Sequence, residues 1–140
     1  MSEKALEIIR KRVEQEPYAK LLGMRLLKVK AGYALVEMQW RDDFANIFAM
    51  AHGGAIFSLV DEAFEIASNS HGTAAVALNM NITYHAAPAR GDTLRAEAKE
   101  LSVSKRTGSY LIKVTNQEKL HIATCQALVY RRNVSLEDIA

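Results

Sequence analysis

Apolar residues recur along this chain with two periods, and the changes of period mark its elements. Leu6, Ile9 and Val13 recur every three or four residues among charges, which predicts a first helix to about Gln15 with Ser2 as its cap. Pro17 opens a short helical segment through Leu22, and Gly23 ends it. Two strands are expected next, about Met24–Lys30 and Tyr33–Trp40, joined by a tight turn at Ala31-Gly32. In the second, Ala34, Val36, Met38 and Trp40 share an apolar face, and Tyr33, Leu35, Glu37 and Gln39 share the other. Residues 41–52 read as a loop, and Gly53 to about Ser70 as the main helix.

That helix is apolar over most of its circumference, the mark of a buried helix. Its polar residues Ser58, Asp61, Glu62, Glu65 and Asn69 fall on one stripe, which must meet a cleft, a partner chain or solvent. His71-Gly72 closes it. Four strands follow without an intervening helix: about Ala74–Ala86, Thr93–Ser104, Ser109–Asn116 and His121–Arg132. Their turns fall at Pro88–Asp92, Lys105–Gly108 and Asn116–Lys119. In the last strand Ala123, Cys125, Ala127 and Val129 share a face. This order is that of an α+β domain with an antiparallel sheet curved around one helix. The strands flanking residues 105–108 are long, and pairing with a second chain at a sheet edge would protect what a small monomer exposes.

Composition narrows the class. With 140 residues the chain forms a single domain, 1–140, with a helical segment at 1–22 and a short tail at 133–140. A net charge of +2 is too small to argue for nucleic acid. Its basic residues cluster at Lys28/Lys30, Lys105/Arg106 and Arg131/Arg132, which suits either a solvated surface or a small phosphate site. Cys125 is the one cysteine, so no internal disulfide forms, in keeping with a reducing, cytoplasmic compartment. No apolar run approaches the length of a membrane span, and no signal peptide is expected.

The candidate chemistry centres on Asn46, His52-Gly53-Gly54 and Asp61, nine residues after the histidine. Two glycines stand where a loop enters the main helix, and free backbone N–H groups at a helix start can hold a developing oxyanion. A carboxylate two to three turns on can serve as nucleophile or general base. Eight residues separate Gly53 from Asp61, about 12 Å of helix, too far for one chain to bring both onto one small thioester. The distance favours a site made by two subunits. Glu62 and Glu65 are rival bases, and the glycines could instead serve close packing. His71, His85 and His121 show no metal-ligand spacing with one another or with Cys125, and no metal or separate cofactor is expected.

Asn46, His52-Gly53-Gly54, Asp61-Glu62-Ala63-Phe64, Ala67, Asn69-Ser70, Gly72, Asn81-Ile82, Tyr84, Pro88 and Gly91-Asp92-Leu94 together resemble the hotdog-fold acyl-CoA thioesterases, most nearly the PaaI type. The resemblance runs from about Pro17 to Arg132. It implies a sheet of five to six antiparallel strands around a long central helix. It also implies a homodimer with shared active sites, usually paired again into a homotetramer. The Gly53 N–H would polarise the thioester carbonyl, Asp61 of the other subunit would act as base or nucleophile, Asn46 would help place substrate or water, and His52 would stand beside them. Gly54, Glu62 and Asn79 join the expected substrate contacts, with Lys105, Arg106 and Thr107 at the coenzyme A end. The sequence departs from the family at Ala49, where many relatives carry glycine, and at Ala77, where some carry Ser or Thr. Asn79, which strict alternation puts on the face of Ala77, is the substitute. Phe57, Phe64 and Tyr84 are candidate groove residues for an aromatic or short acyl chain. The expected function is acyl-CoA thioester hydrolysis, and the alternative is a hotdog protein that binds acyl-CoA without turning it over.

Overall fold

A computed structural model describes residues 3–139. The expected Ser2 cap lies outside the described residues. Helices α1 (Glu3–Gln15) and α2 (Pro17–Leu22) come first, then strands β1 (Arg25–Lys30) and β2 (Tyr33–Gln39). A short 3-10 turn, Asp42–Phe44, precedes helix α3 (Gly53–Asn69). The remaining strands are β3 (Thr73–Tyr84), β4 (Thr93–Val103), β5 (Thr107–Thr115) and β6 (His121–Ser135), and a 3-10 turn, Leu136–Asp138, ends the fold. All pairings are antiparallel in one six-stranded sheet of order β1-β2-β4-β5-β6-β3.

The alternation in β2 follows the sequence pattern: Ala34, Val36 and Met38 are buried against α3, and the residues between them are not. From α3, Leu59, Val60, Ala63, Phe64 and Ala67 are almost wholly enclosed. Each large side chain so buried contributes about 1.5–3 kcal/mol of transfer free energy. Phe64 packs edge-on against Tyr110 of β5, with ring centroids 5.7 Å apart. That contact places Phe64 in the core, not in a substrate groove as the sequence suggested. At the end of α3, Asn69 clamps the helix to β3, accepting from Ala75 N–H at 2.9 Å and donating to Ala75 C=O at 3.2 Å. Gly72 then turns the chain with φ +87°, a conformation that favours glycine.

Two strand boundaries and the position of the free edge differ from the sequence reading. Thr107 and Gly108 belong to β5, because they pair with Tyr130 and Val129, so the turn before them is shorter than expected. β6 continues past Arg132 to Ser135, where Thr73 pairs with it. The long strands β4 and β5 lie inside the sheet. The free long edge belongs to β3, whose residues 76–79 are exposed and include Val76 and Leu78.

Candidate active site

The loop before α3 is built by the side chain it carries. Asn46 Oδ1 accepts from the N–H groups of Phe48 (2.9 Å) and Met50 (3.1 Å), and its Nδ2 donates to Ala51 C=O at 3.2 Å. These bonds close a hairpin-like loop whose ends meet at the Ala45–Ala51 bridge. The amide expected to place substrate therefore shapes the loop that delivers His52 and Gly53. Ala49 takes φ 57°, in the left-handed region that favours glycine. Ile47, Phe48 and Met50 project from this loop into solvent in the single chain.

His52 caps α3. Its Nδ1 accepts from Gly54 N–H at 2.8 Å, which requires the tautomer protonated on Nε2. That bond consumes the Gly54 donor. The Gly53 N–H, at the first position of the helix, has no acceptor among the described residues, as the first turn of a helix dictates. The free donor at the positive end of the α3 dipole is thus Gly53, the residue the sequence singled out.

Packing is also tight at both glycines. A Cβ on Gly54 would lie 2.9 Å from His52 Nδ1 and Cε1, and one on Gly53 would lie 3.1 Å from Tyr84 Cζ. The Tyr84 hydroxyl donates to Gly53 C=O at 3.0 Å. Tyr84, placed in the groove by the sequence reading, therefore holds the helix start from β3. Beside it, Tyr18, Leu22, Phe44, His52, Ala55 and Ser58 line a cavity of about 320 Å³. Ser58 Oγ donates to Gly54 C=O at 2.9 Å and lies 2.7 Å from the Tyr18 hydroxyl.

Asp61 is exposed in the single chain, yet the apolar helix around it removes enough water to raise its carboxyl above the ordinary range, with the Glu16 charge adding to the shift. Glu62 departs from the polar stripe: it is 4% exposed and packed inward, so it does not share the surface of Asp61 and Glu65.

Strand β3 carries a register slip between Ala77 and Asn79. Ala77 pairs with Val129 and Asn79 with Leu128, so the extra residue breaks the alternation. Adjacent residues of β6 face opposite ways. Ala77 thus lies on the α3 side with buried Val129, and Asn79 lies on the outer face, correcting the expectation that the two share a face.

Two of the three basic pairs that stood apart in sequence come together, while Lys28 and Lys30 stay on β1. Lys105 and Arg106, from the β4–β5 turn, line a cavity of about 250 Å³ with Thr73, Tyr130, Arg131 and Arg132. Arg131 ties the cavity to the turn, donating its N–H to Arg106 C=O at 2.7 Å and a guanidinium N–H to Ser104 C=O at 2.8 Å. Thr107 is engaged with Ser104 through their hydroxyls at 3.0 Å. No helix among the described residues is long and apolar enough to cross a membrane.

The Thioesterase superfamily model matches residues 48–123, the segment from the Asn46 loop into β6. A protein of Archaeoglobus fulgidus is 46% identical over 81% of this chain and 73% of its own length. The acyl-coenzyme A thioesterase PaaI of Escherichia coli is 36% identical over 94% of each chain. The solved structure of E. coli PaaI superposes with a TM-score of 0.91, covering 96% of this chain and 97% of that one at 34% identity. A Streptococcus mutans protein solved with acetyl-CoA, 28% identical, superposes with a TM-score of 0.75 over 78% of this chain and 88% of its own. The chain belongs to the thioesterase superfamily and is a PaaI-like thioester hydrolase of the hotdog fold.

Proposed function

We propose that the chain hydrolyses acyl-CoA thioesters carrying an aromatic or short to medium acyl group, at sites formed by two copies of the chain. The observation that carries this reading is the unpaired Gly53 N–H at the α3 start, with the neighbouring Gly54 donor already taken by His52. Gly53 donates to the thioester oxygen as negative charge develops there. Asp61 of the partner subunit takes a proton from water, and the hydroxyl attacks the carbonyl carbon. The C–S bond then breaks, and the CoA thiolate leaves with the proton. Direct attack by Asp61 through an anhydride is the other route open to this carboxylate.

The two-subunit site is supported by the span of about 12 Å between Gly53 and Asp61 along one helix. The free β3 edge offers the surface on which a second chain could continue the sheet. Pairing of dimers into a tetramer is the assembly the PaaI resemblance suggests. The four cations around the Lys105/Arg106 cavity suit the phosphates of coenzyme A, and Thr73 places that cavity beyond the C-terminal end of α3. The single cysteine, Cys125, is buried, which suits a cytoplasmic protein.

The test is thiol release from a panel of acyl-CoA esters, with folded Asp61→Asn beside wild type. Release that depends on Asp61 supports the reading, and the best ester names the acyl class. Equal turnover by Asp61→Asn would remove Asp61 from the mechanism.

A further inference from the structure

Glu16, between α1 and α2, meets Glu62 and Glu65 of α3. One carboxylate oxygen from each lies within 4.8 Å of the other two. Glu62 is the innermost, with Glu16 half-buried and Glu65 exposed, so the group is open to solvent on the Glu65 side. Glu62 Oε2 is buried and has no hydrogen-bond partner among the described residues. None of the ion pairs among the described residues reaches these three. Arg12 lines the same cavity as Glu16 and Glu65, but its guanidinium donates to Leu136 C=O and Ile139 C=O.

Three carboxylates so placed must be neutralised, because an unpaired buried charge is costly and like charges repel. Protons can meet that demand, and so can a cation. The donor set is all oxygen and all anionic, which selects hard divalent ions over zinc or copper. Mg²⁺ gives up its waters reluctantly and is seldom held by protein carboxylates alone, so a set of three carboxylate oxygens close enough to reach one ion suits the larger Ca²⁺ better.

We propose that Glu16, Glu62 and Glu65 bind one hard divalent cation of calcium size, with Glu62 as the inner ligand and water completing the shell. With three protein ligands and an open side, affinity falls in the weak range of calcium sites, about 10⁻⁴–10⁻³ M. The site needs neither Asp61 nor substrate.

The experiment uses the full chain, stripped with chelator and melted at pH 7.5 in CaCl₂, MnCl₂ or MgCl₂ against NaCl of equal ionic strength. The expected result is a saturable rise in Tm with Ca²⁺, smaller with Mg²⁺, that is lost in both Glu62→Gln and Glu65→Gln. Equilibrium dialysis with ⁴⁵Ca should give one ion per chain in wild type and none in either variant. No calcium-specific rise in wild type, or the same rise in Glu65→Gln, overturns the proposal. Should Glu62→Gln fail to fold, Glu65→Gln decides alone, because Glu65 is on the surface.

Discussion

The Tyr84 hydroxyl donates to the Gly53 carbonyl at 3.0 Å, and the Tyr84 ring fills the space a Gly53 Cβ would need. The end of β3 thereby fixes the start of α3, whose first N–H is the free donor. A side chain at position 53 must displace Tyr84 or move the donor.

Gly53→Ala should therefore lose activity through geometry. Gly53 has no positive φ, so backbone strain does not enter. The half-exposed Tyr84 ring must give by a few tenths of an ångström, so the stability cost should sit at the low end of overpacking, about 1 kcal/mol. Thioester turnover should fall by at most the worth of one oxyanion donor, about 10²–10³. Removing the obstructing ring in Gly53→Ala/Tyr84→Ala should recover part of the lost Tm. A double variant melting no higher than Gly53→Ala would show that Tyr84 is not the obstacle.

Asp61→Asn should lower kcat by about 10²–10⁴, the usual worth of a general base, with an unchanged circular dichroism spectrum. A base acts only when ionised, so the rate should fall as pH drops through its pKa. Desolvation and the Glu16 charge raise that pKa, so the acid limb of the kcat/KM profile should lie above the ordinary aspartate range. Glu16→Gln removes the charge and should move the limb towards lower pH. An acid limb that ignores Glu16→Gln would break the electrostatic link.

Glu62 predicts how stability varies with pH in the presence of chelator. An unfolded glutamate ionises near 4.5, and the folded Glu62 holds its proton well above that, mainly because it is buried. The folded state thus binds the extra proton once pH passes the unfolded value, and stability falls as pH rises from there towards the folded pKa. Glu62→Gln keeps the buried group neutral. Its urea midpoint should match wild type near pH 4 and exceed it at pH 8. A variant less stable than wild type at pH 8 would contradict this assignment.

Lys105→Ala/Arg106→Ala should weaken binding of whole acyl-CoA and leave the pantetheine thioester unaffected, since the cavity they line suits phosphates. Charge-assisted hydrogen bonds contribute about 1.5–3 kcal/mol each, so KM should rise tenfold or more at low salt. The defect should shrink as ionic strength screens the wild-type site. An equal KM rise for both esters would place the phosphates elsewhere.

Local pattern decided much of this protein. The two-residue alternation of β2, the broad apolar arc of α3 and the turns at Gly23 and Gly72 are written in neighbouring residues, because period and backbone preference act over a few positions. The Gly53-Gly54 entry and Asp61 were legible for the same reason: helix rise alone separates them by about 12 Å.

Only the tertiary structure decided which strand keeps a free edge, since strand order depends on contacts between distant segments. It placed a bulge at 77–79 that turned Asn79 to the outer face, against simple alternation. It drew Glu62 inward to Glu16, 46 residues away in sequence, out of a stripe that helical spacing alone made uniformly polar. It brought Arg131 to Arg106 and Tyr84 to Gly53. Each of these follows from pairing register and packing across the sheet, which a period read along one segment does not encode.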